Sequence, residues 1–238
     1  MGSATTDCLK GIFLGLDTSG LRTGLALVTR ERTVYEINTD TGISHNESLL
    51  LLLEQAFAAA RVSIAELSGI GLTIGPGMWT ALRVGLSVVK GLVLPQSLPV
   101  KGVNTLSAVS ATAARTRLPV LAVLDARRGE VYAALYRQEA VLISPCAVEP
   151  AQLATRVAEY NPGAGVALAG DGSELVKPAL AAAGVQFEDT GVRQASPAVV
   201  ARLGMELLNR DGPDGLAELE PVYLRRTDAE INRERRGG

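Results

Sequence analysis

Hydrophobic and polar positions along the chain follow spacings that predict a mixed α/β protein. Three short apolar runs predict strands at 11–16, 23–28 and 33–37, each bounded by polar or glycine residues. Apolar residues then recur at three- and four-residue spacing from about 44 to 60, which predicts a helix. A further apolar run predicts a strand at 69–74. The predicted order is therefore three strands followed by alternating helices and strands.

The same order begins again in the second half of the chain. The later elements are predicted as helices at 79–94 and 105–114, strands at 119–124, 130–136 and 140–143, a helix at 151–160, a strand at 165–169, and helices at 173–183 and 197–209. The first strand of each half ends on an aspartate, Asp17 or Asp125, and turns directly into another strand; the two aspartates lie 108 residues apart. Such a duplication predicts two similar lobes of mixed sheet covered by helices, with a cleft between the aspartate turns.

This organisation divides the chain into a first lobe over 1–103, a second lobe over 104–212 and a tail over 213–238. The tail contains a Pro-Val-Tyr-Leu-Arg segment and a charged end. The helix at 197–209 is interpreted as lying outside the repeat, and its docking position stays open.

Composition narrows the classes of function. The chain is 47% hydrophobic, with 23 basic and 25 acidic side chains and a net charge of -2, which argues against disorder and against a basic nucleic-acid binder acting alone. The single histidine, His45, excludes a metal site built on paired histidines. Cys8 and Cys146 are expected to be reduced thiols, because they lie far apart in a chain without secretion or membrane-spanning signals. We therefore expect a cytoplasmic protein that is not attached to a membrane.

The aspartate turns carry the candidate chemistry. A strand that ends on Asp17 and turns through Thr18 and Ser19 into a second strand has the shape that actin-like and sugar-kinase-like ATPases use to hold phosphates, because backbone N–H groups in such a turn face an anion. An ordinary hairpin turn is the equally valid alternative. The turn 75–77 likewise either attracts an anion at a helix N-terminus or only fixes a tight strand-to-helix connection.

Five ordered blocks of residues resemble one family. The blocks are 15–19, 45–47, 75–77 with Thr80, Leu82, Arg83 and Gly85, 125–132, and 221–225. Together they resemble the TsaB family, also called YeaZ, although Met78, Trp79 and Ala81 stand where that family usually has serine, phenylalanine and glycine. The resemblance implies an α/β, actin-like (ASKHA) duplicated two-lobe fold with mixed sheets covered by helices. It also implies a role in making threonylcarbamoyladenosine on tRNA.

In that pathway the resemblance implies a non-catalytic subunit that binds and supports TsaD, the metal- and ATP-dependent transferase, together with the ATPase TsaE. A homodimer is implied where TsaD is absent, and tRNA is contacted only indirectly through the complex. TsaD carries a pair of ligand histidines, and an ungapped alignment places Thr105 and Val109 at those positions. Neither residue replaces a neutral imidazole ligand, so no catalytic residue, metal or cofactor is assigned.

An actin-fold ATPase or kinase is the alternative from a different class of function, with Asp17 and Asp125 around a magnesium nucleotide. The candidate residues of a residual nucleotide cleft are Asp17, Thr18, Ser19, Asp125, Arg127, Gly170 and Gly172. Arg127 either binds a phosphate or fills the cleft, and Gly170 and Gly172 either contact adenosine or only form a strand-to-helix turn.

The helices at 44–60 and 79–94 are more apolar than one buried face requires. Both are either sandwiched within this chain or form a surface for TsaD or for a second copy. The predicted interface residues are Leu51, Leu52, Trp79, Leu82, Arg83, Leu86, Val89 and Lys90. Leu52 and Leu86 of this set are expected to face the partner. Leu53, which is not in the set, is expected to face the core. The arginine-rich tail is interpreted as a solvated end or as a contact to tRNA phosphates in a larger complex.

Overall fold

A computed structural model describes residues 11–40, 45–160, 163 and 165–224, with only the backbone described at 45–48. The first sheet contains β1 (Ile12–Asp17), β2 (Arg22–Val28), β3 (Thr33–Asp40), β4 (Leu67–Gly75) and β5 (Val100–Asn104) in the order β3-β2-β1-β4-β5. Strands β1, β2 and β3 form an antiparallel meander, and β4 and β5 extend it in parallel with β1.

Two helices cover one face of this sheet, and a third helix follows its last strand. Helix α1 (His45–Ala60) packs on β2 and β3, α2 (Trp79–Val93) packs on β4 and against α1, and α3 (Thr105–Thr112) follows β5. Leu14 and Leu16 of β1 point into the core formed with α1 and α2, whereas Phe13 points to the other face. Because β1 is covered on both faces, its residues form a continuous apolar run.

The second half repeats this arrangement. Its elements are β6 (Val120–Asp125), β7 (Val131–Arg137), β8 (Ala140–Val148), α4 (Pro150–Tyr160), β9 (Val166–Ala169), α5 (Ser173–Ala182), β10 (Phe187–Asp189) and α6 (Pro197–Asp211). The second sheet has the order β10-β9-β6-β7-β8, which matches the first sheet strand for strand when it is read from the other edge. The predicted duplication and the α/β fold are confirmed.

The last helix of each repeat packs on the sheet of the other repeat. Helix α3, which ends the first repeat, packs on β6 and β7, while α6 packs on β1, β2, β4 and β5. Helix α6 is thus the counterpart of α3, and the interpretation that it lies outside the repeat is wrong. The predicted second lobe over 104–212 is continuous in sequence, but its final helix lies on the first sheet.

Glycines let α6 approach the first sheet closely. A Cβ on Gly15 would lie 2.0 Å from the carbonyl oxygen of Pro197, and a Cβ on Gly204 would lie 2.6 Å from the Cα of Gly71. Distances this short leave no room for a Cβ atom, so glycine is required at Gly15 on the sheet and at Gly204 on the helix.

None of the described helices is long and apolar enough to cross a membrane.

Candidate functional site

The first aspartate turn is held together by its own side chains. Asp17 is 3% exposed, and its Oδ1 accepts hydrogen bonds from the Ser19 N–H (3.0 Å), the Ser19 hydroxyl (2.6 Å) and the Thr73 hydroxyl (2.8 Å). The Thr18 N–H in turn donates to Thr73 Oγ1 at 3.4 Å. Two N–H groups that would face an anion in a phosphate-binding turn are therefore occupied within the chain.

Helix α2 closes over the same turn. The Met78 N–H donates to the Ser19 carbonyl at 2.8 Å, and a Cβ on Gly77 would lie 2.4 Å from that oxygen. A Cβ on Gly85 would lie 2.3 Å from the Thr18 hydroxyl oxygen, which is buried without a hydrogen-bond partner. The turn at 75–77 thus places α2 against the first aspartate turn, which favours the packing interpretation of these glycines.

The second aspartate turn is closed by an internal ion pair. Asp125 accepts a hydrogen bond from the Arg127 N–H at 2.7 Å and pairs with the Arg127 guanidinium at 3.1 Å. The Asp125 N–H donates to Asp171 Oδ1 at 3.0 Å. Desolvation raises the pKa of the Asp171 carboxyl, and this effect outweighs the hydrogen bond from the Asp125 N–H.

Gly170 and Gly172 bring the turn after β9 onto β6. A Cβ on Gly170, which has φ +109°, would lie 1.8 Å from the Val123 carbonyl oxygen, and one on Gly172 would lie 2.8 Å from the Leu124 carbonyl carbon. Backbone packing within the second sheet therefore accounts for both glycines without any adenosine contact.

The two turns meet at a small cavity of about 30 Å³. Its lining residues include Ser19 and Met78 from one side, Asp125, Arg127 and Asp171 from the other, and Gln194. The structure brings Ser19, Asp125 and Arg127 together as the sequence predicts, whereas Asp17 and Thr18 are buried behind them. The cavity has room for about two water molecules, whereas pockets for small molecules measure roughly 300 Å³ or more.

The eight predicted interface residues divide into two groups. Leu52, Leu82, Leu86 and Val89 are buried, with exposures of 5%, 1%, 8% and 0%. Leu51, Trp79 and Arg83 are exposed, and Lys90 is partly buried. The expectation that Leu52 and Leu86 face away from the chain's own core is wrong, since Leu86 packs in one core with Leu49 and Leu53. Both helices are apolar over a wide arc because they cover the sheet and also pack on each other.

An aromatic–arginine cluster stands at the start of α2, where the Trp79 and Tyr223 rings stack at a centroid distance of 3.9 Å and an angle of 20°. The Arg83 guanidinium carbon lies 4.2 Å from the centroid of the Trp79 ring, and Arg83 Nε donates to the Tyr223 hydroxyl at 3.2 Å. Tyr223 was not among the predicted interface residues, although the block at 221–225 was the signal that contained it.

The positions aligned with ligand histidines are inside the protein. Thr105 and Val109 lie one turn apart on α3, and both are 0% exposed. Across the described residues, no three histidine, cysteine, aspartate or glutamate side chains form a group that could hold a metal ion. The side chains of 45–47, Cys8 and the tail from 225 onward lie outside the described residues, and so do the predictions made for them.

A family model described as TsaD, tRNA N6-adenosine threonylcarbamoyltransferase, matches residues 39–232. The TsaB protein of Escherichia coli (tRNA threonylcarbamoyladenosine biosynthesis protein TsaB) is 33% identical over 97 residues, which is 40% of this chain and 42% of that protein. The TsaB protein of Bacillus subtilis is 27% identical over 52% of this chain and 54% of its own length. The chain thus spans about half the length of these relatives.

Solved structures show the same fold. YeaZ from Pseudomonas aeruginosa superposes with a TM-score of 0.76 at 24% identity, covering 90% of this chain and all of that one. A ROK hexokinase from Thermus thermophilus superposes with a TM-score of 0.51 at 16% identity, covering 84% of this chain and all of its own. The fold is the duplicated α/β arrangement of actin-like proteins.

Proposed function

This chain belongs to the TsaD family and, within it, to the TsaB (YeaZ) group, and from that premise we propose that it is a non-catalytic subunit required for threonylcarbamoyl transfer to tRNA adenosine. In this role it binds and supports the transferase TsaD together with TsaE, and it pairs with a second copy of itself where TsaD is absent. Its contact with tRNA is indirect, through the complex.

The residues at the lobe cleft carry the non-catalytic part of the proposal. The first turn uses two of its own N–H groups internally, and one nitrogen of the Arg127 guanidinium pairs with Asp125, which supports a cleft that does not act on a nucleotide. Thr105 and Val109 supply no metal ligand on α3. These side chains support a role in binding a partner protein and not in catalysis.

The exposed parts of α1 and α2 carry the partner-binding part. Leu50 and Leu51 of α1 are 55% and 59% exposed, and Trp79 of α2 is 37% exposed. Exposed large apolar side chains are typical of protein interfaces. We assign the interface to the exposed Leu51, Trp79 and Arg83 and the partly buried Lys90, while Leu52, Leu82, Leu86 and Val89 are buried beneath the surface.

A reconstituted modification reaction tests the proposal. Unmodified tRNA, TsaD, TsaE and the threonylcarbamoyl-adenylate intermediate are combined with and without this chain, and the modified nucleoside is measured. We expect modification only when this chain is present. Full modification in its absence would contradict the proposal, and so would modification by this chain without TsaD.

An actin-fold ATPase or kinase is the second candidate function, because both aspartate turns and the lobe cleft of that fold are present. Calorimetry with magnesium-ATP on the isolated chain tests it, with Arg127→Ala as the cleft variant and Arg137→Ala, at the far end of β7, as the matched control. Tight binding that is lost only in Arg127→Ala would favour this function over the scaffold.

A further inference from the structure

The chain beyond α6 is docked as a strap, defined here as residues 212–224. Its Asp214 N–H donates to the Val100 carbonyl at 2.9 Å, and its Asp214 carboxylate accepts from the Gly102 N–H at 2.8 Å and pairs with Lys101 at 2.6 Å. Leu219 is 2% exposed in the core beneath α1 and α2. The strap therefore covers the open edge of β5, where unpaired backbone groups would otherwise face solvent.

The end of the strap is fixed at the start of α2. The Val222 N–H donates to the Ile74 carbonyl at 2.7 Å, and the backbone at Val222 lies so close to Gly75 that a Cβ there would be 2.5 Å from the Val222 oxygen. This places Tyr223 on Trp79 and within hydrogen-bond distance of Arg83. Each member of the aromatic–arginine cluster is held by the other two.

The members of the cluster contact one another and are still open to solvent. Trp79 and Tyr223 are each 37% exposed, and their sequence neighbours Met78 and Val222 are 38% and 37% exposed. Tryptophan, tyrosine and arginine are the residues that contribute most to binding at protein interfaces. Side chains already held in one conformation lose little entropy when a partner binds.

Charge indicates the chemistry of the partner. Helix α2 contains no acidic residue, and its only charged side chains are Arg83 and Lys90. A partner surface that is apolar with carboxylates at its rim complements this helix.

We propose that the strap is part of the binding surface for the transferase TsaD, and that Tyr223 is a positioning residue that holds Trp79 and Arg83 in place for that partner. This inference rests on the proposed function. The occupant is an apolar, carboxylate-rimmed surface of the transferase, and the strap's contribution is direct contact through Tyr223 together with the fixed orientation of the cluster.

Titration calorimetry of this chain with TsaD tests the inference. Tyr223→Ala is expected to weaken binding by about tenfold or more, whereas Tyr223→Phe, which keeps the stacked ring, retains most of the affinity. Tyr160→Ala is the matched control, because Tyr160 is an exposed tyrosine on α4 and is expected to leave binding unchanged. All three variants are expected to melt within a few degrees of the unaltered chain.

Fluorescence gives a second measurement on the free chain. Trp79 is the only tryptophan in the 238 residues, so its emission reports directly on the stack. We expect a changed emission for Tyr223→Ala and an unchanged one for Tyr160→Ala.

Each outcome is decisive. Unaltered or tighter TsaD binding by Tyr223→Ala would overturn the strap's role, and so would a loss confined to self-association. If the unaltered chain does not bind TsaD, both this inference and the proposed function fail. If it binds and Tyr223→Ala binds equally well, only this inference fails.

Discussion

The hydrogen bonds of single side chains determine what the first aspartate turn can do. Asp17 Oδ1 accepts from two groups of Ser19 and from the Thr73 hydroxyl, so the carboxylate organises the turn instead of facing a ligand. Asp17 therefore serves as an internal hydrogen-bond acceptor.

Replacing that acceptor is expected to destabilise the protein. Asp17→Ala leaves the buried hydroxyls of Ser19 and Thr73 without their partner, and we expect a loss of about 1.5–3 kcal/mol in the free energy of unfolding. Urea denaturation measures it. Asp40→Ala is the control, because the Asp40 side chain is 72% exposed and its ion pair with Arg22, at 3.6 Å, contributes little to stability. Equal stability of Asp17→Ala and the unaltered chain would show that these hydrogen bonds do not hold the turn.

Asp189 gives the second lobe a dependence on pH. Hydrogen bonds from Arg193, at 2.7 and 2.8 Å, and an ion pair with Lys177 at 2.8 Å hold the pKa of the Asp189 carboxyl well below its usual value. A lowered folded-state pKa contributes stability that is present above the unfolded-state pKa of about 3.9 and is lost as the pH falls below it.

We therefore expect acidification from pH 7 to pH 3 to reduce the free energy of unfolding less in Asp189→Asn than in the unaltered chain. Urea denaturation at the two pH values gives the comparison. Glu139→Gln, at an exposed position on the turn between β7 and β8, is the control and is expected to match the unaltered chain. Parallel losses in Asp189→Asn and the unaltered chain would contradict the assignment.

At the scale of helices and strands, α1 and α2 show how far hydrophobic pattern alone can go. The pattern correctly indicates that both helices are too apolar for a single buried face, but it does not separate side chains that pack between the helices from those that face solvent. Leu51 and Leu52 are neighbours in sequence with 59% and 5% exposure, and the packing of α1 on β2, β3 and α2 decides which of its side chains are buried.

Glutamate substitutions at these two neighbours are expected to have different effects. Leu52→Glu buries an unpaired carboxylate and is expected to lower the free energy of unfolding by about 3 kcal/mol or more. Leu51→Glu is expected to change it by less than about 0.5 kcal/mol, since the side chain already faces solvent. Circular dichroism melts compare the two variants directly. Similar melting of Leu51→Glu and Leu52→Glu would contradict the burial of Leu52.

Strands that coincide with an apolar run were predictable from the sequence. The remaining strands depend on pairing with a neighbouring strand of the sheet. The strand β5 contains Lys101 and Gly102, and β10 is only Phe187–Asp189, so neither has the pattern of a strand by itself. Both are edge strands, and each pairs in parallel with the inner strand beside it, β4 or β9. The strand β8 continues past Pro145 to Val148, which an edge strand tolerates because one side of its backbone is unpaired.

The candidate site was predictable only in part, because only some of its features come from residues that are close in sequence. The aspartate turns follow from local sequence, and the structure places Asp125, Arg127 and Ser19 at one cavity. The aromatic–arginine cluster joins Arg83 to Tyr223, which lies 140 residues later, and that contact depends on the docking of the whole strap. A pattern confined to one segment contains no information on such a contact.

At the scale of the whole molecule, the exchange of α3 and α6 connects the two sheets. Each sheet is covered by a helix from the other repeat, and the two exchanged helices also contact each other. Gly204 on α6 and Gly71 on β4 set the closest approach in this arrangement.

The exchange predicts opposite effects for two glycine-to-alanine substitutions in helices. Gly204→Ala places a Cβ 2.6 Å from the Gly71 Cα, and we expect overpacking to lower the free energy of unfolding by about 1–3 kcal/mol despite the better helix propensity of alanine. Gly91→Ala, in the interior of α2 with nothing within 4 Å of the new methyl group, is expected to raise it by up to about 1 kcal/mol. Because helix propensity favours alanine at both positions, only the closeness of α6 to the first sheet can make the two signs differ. Stabilisation by Gly204→Ala equal to that by Gly91→Ala in urea denaturation would therefore show that α6 does not lie against β4 at this distance.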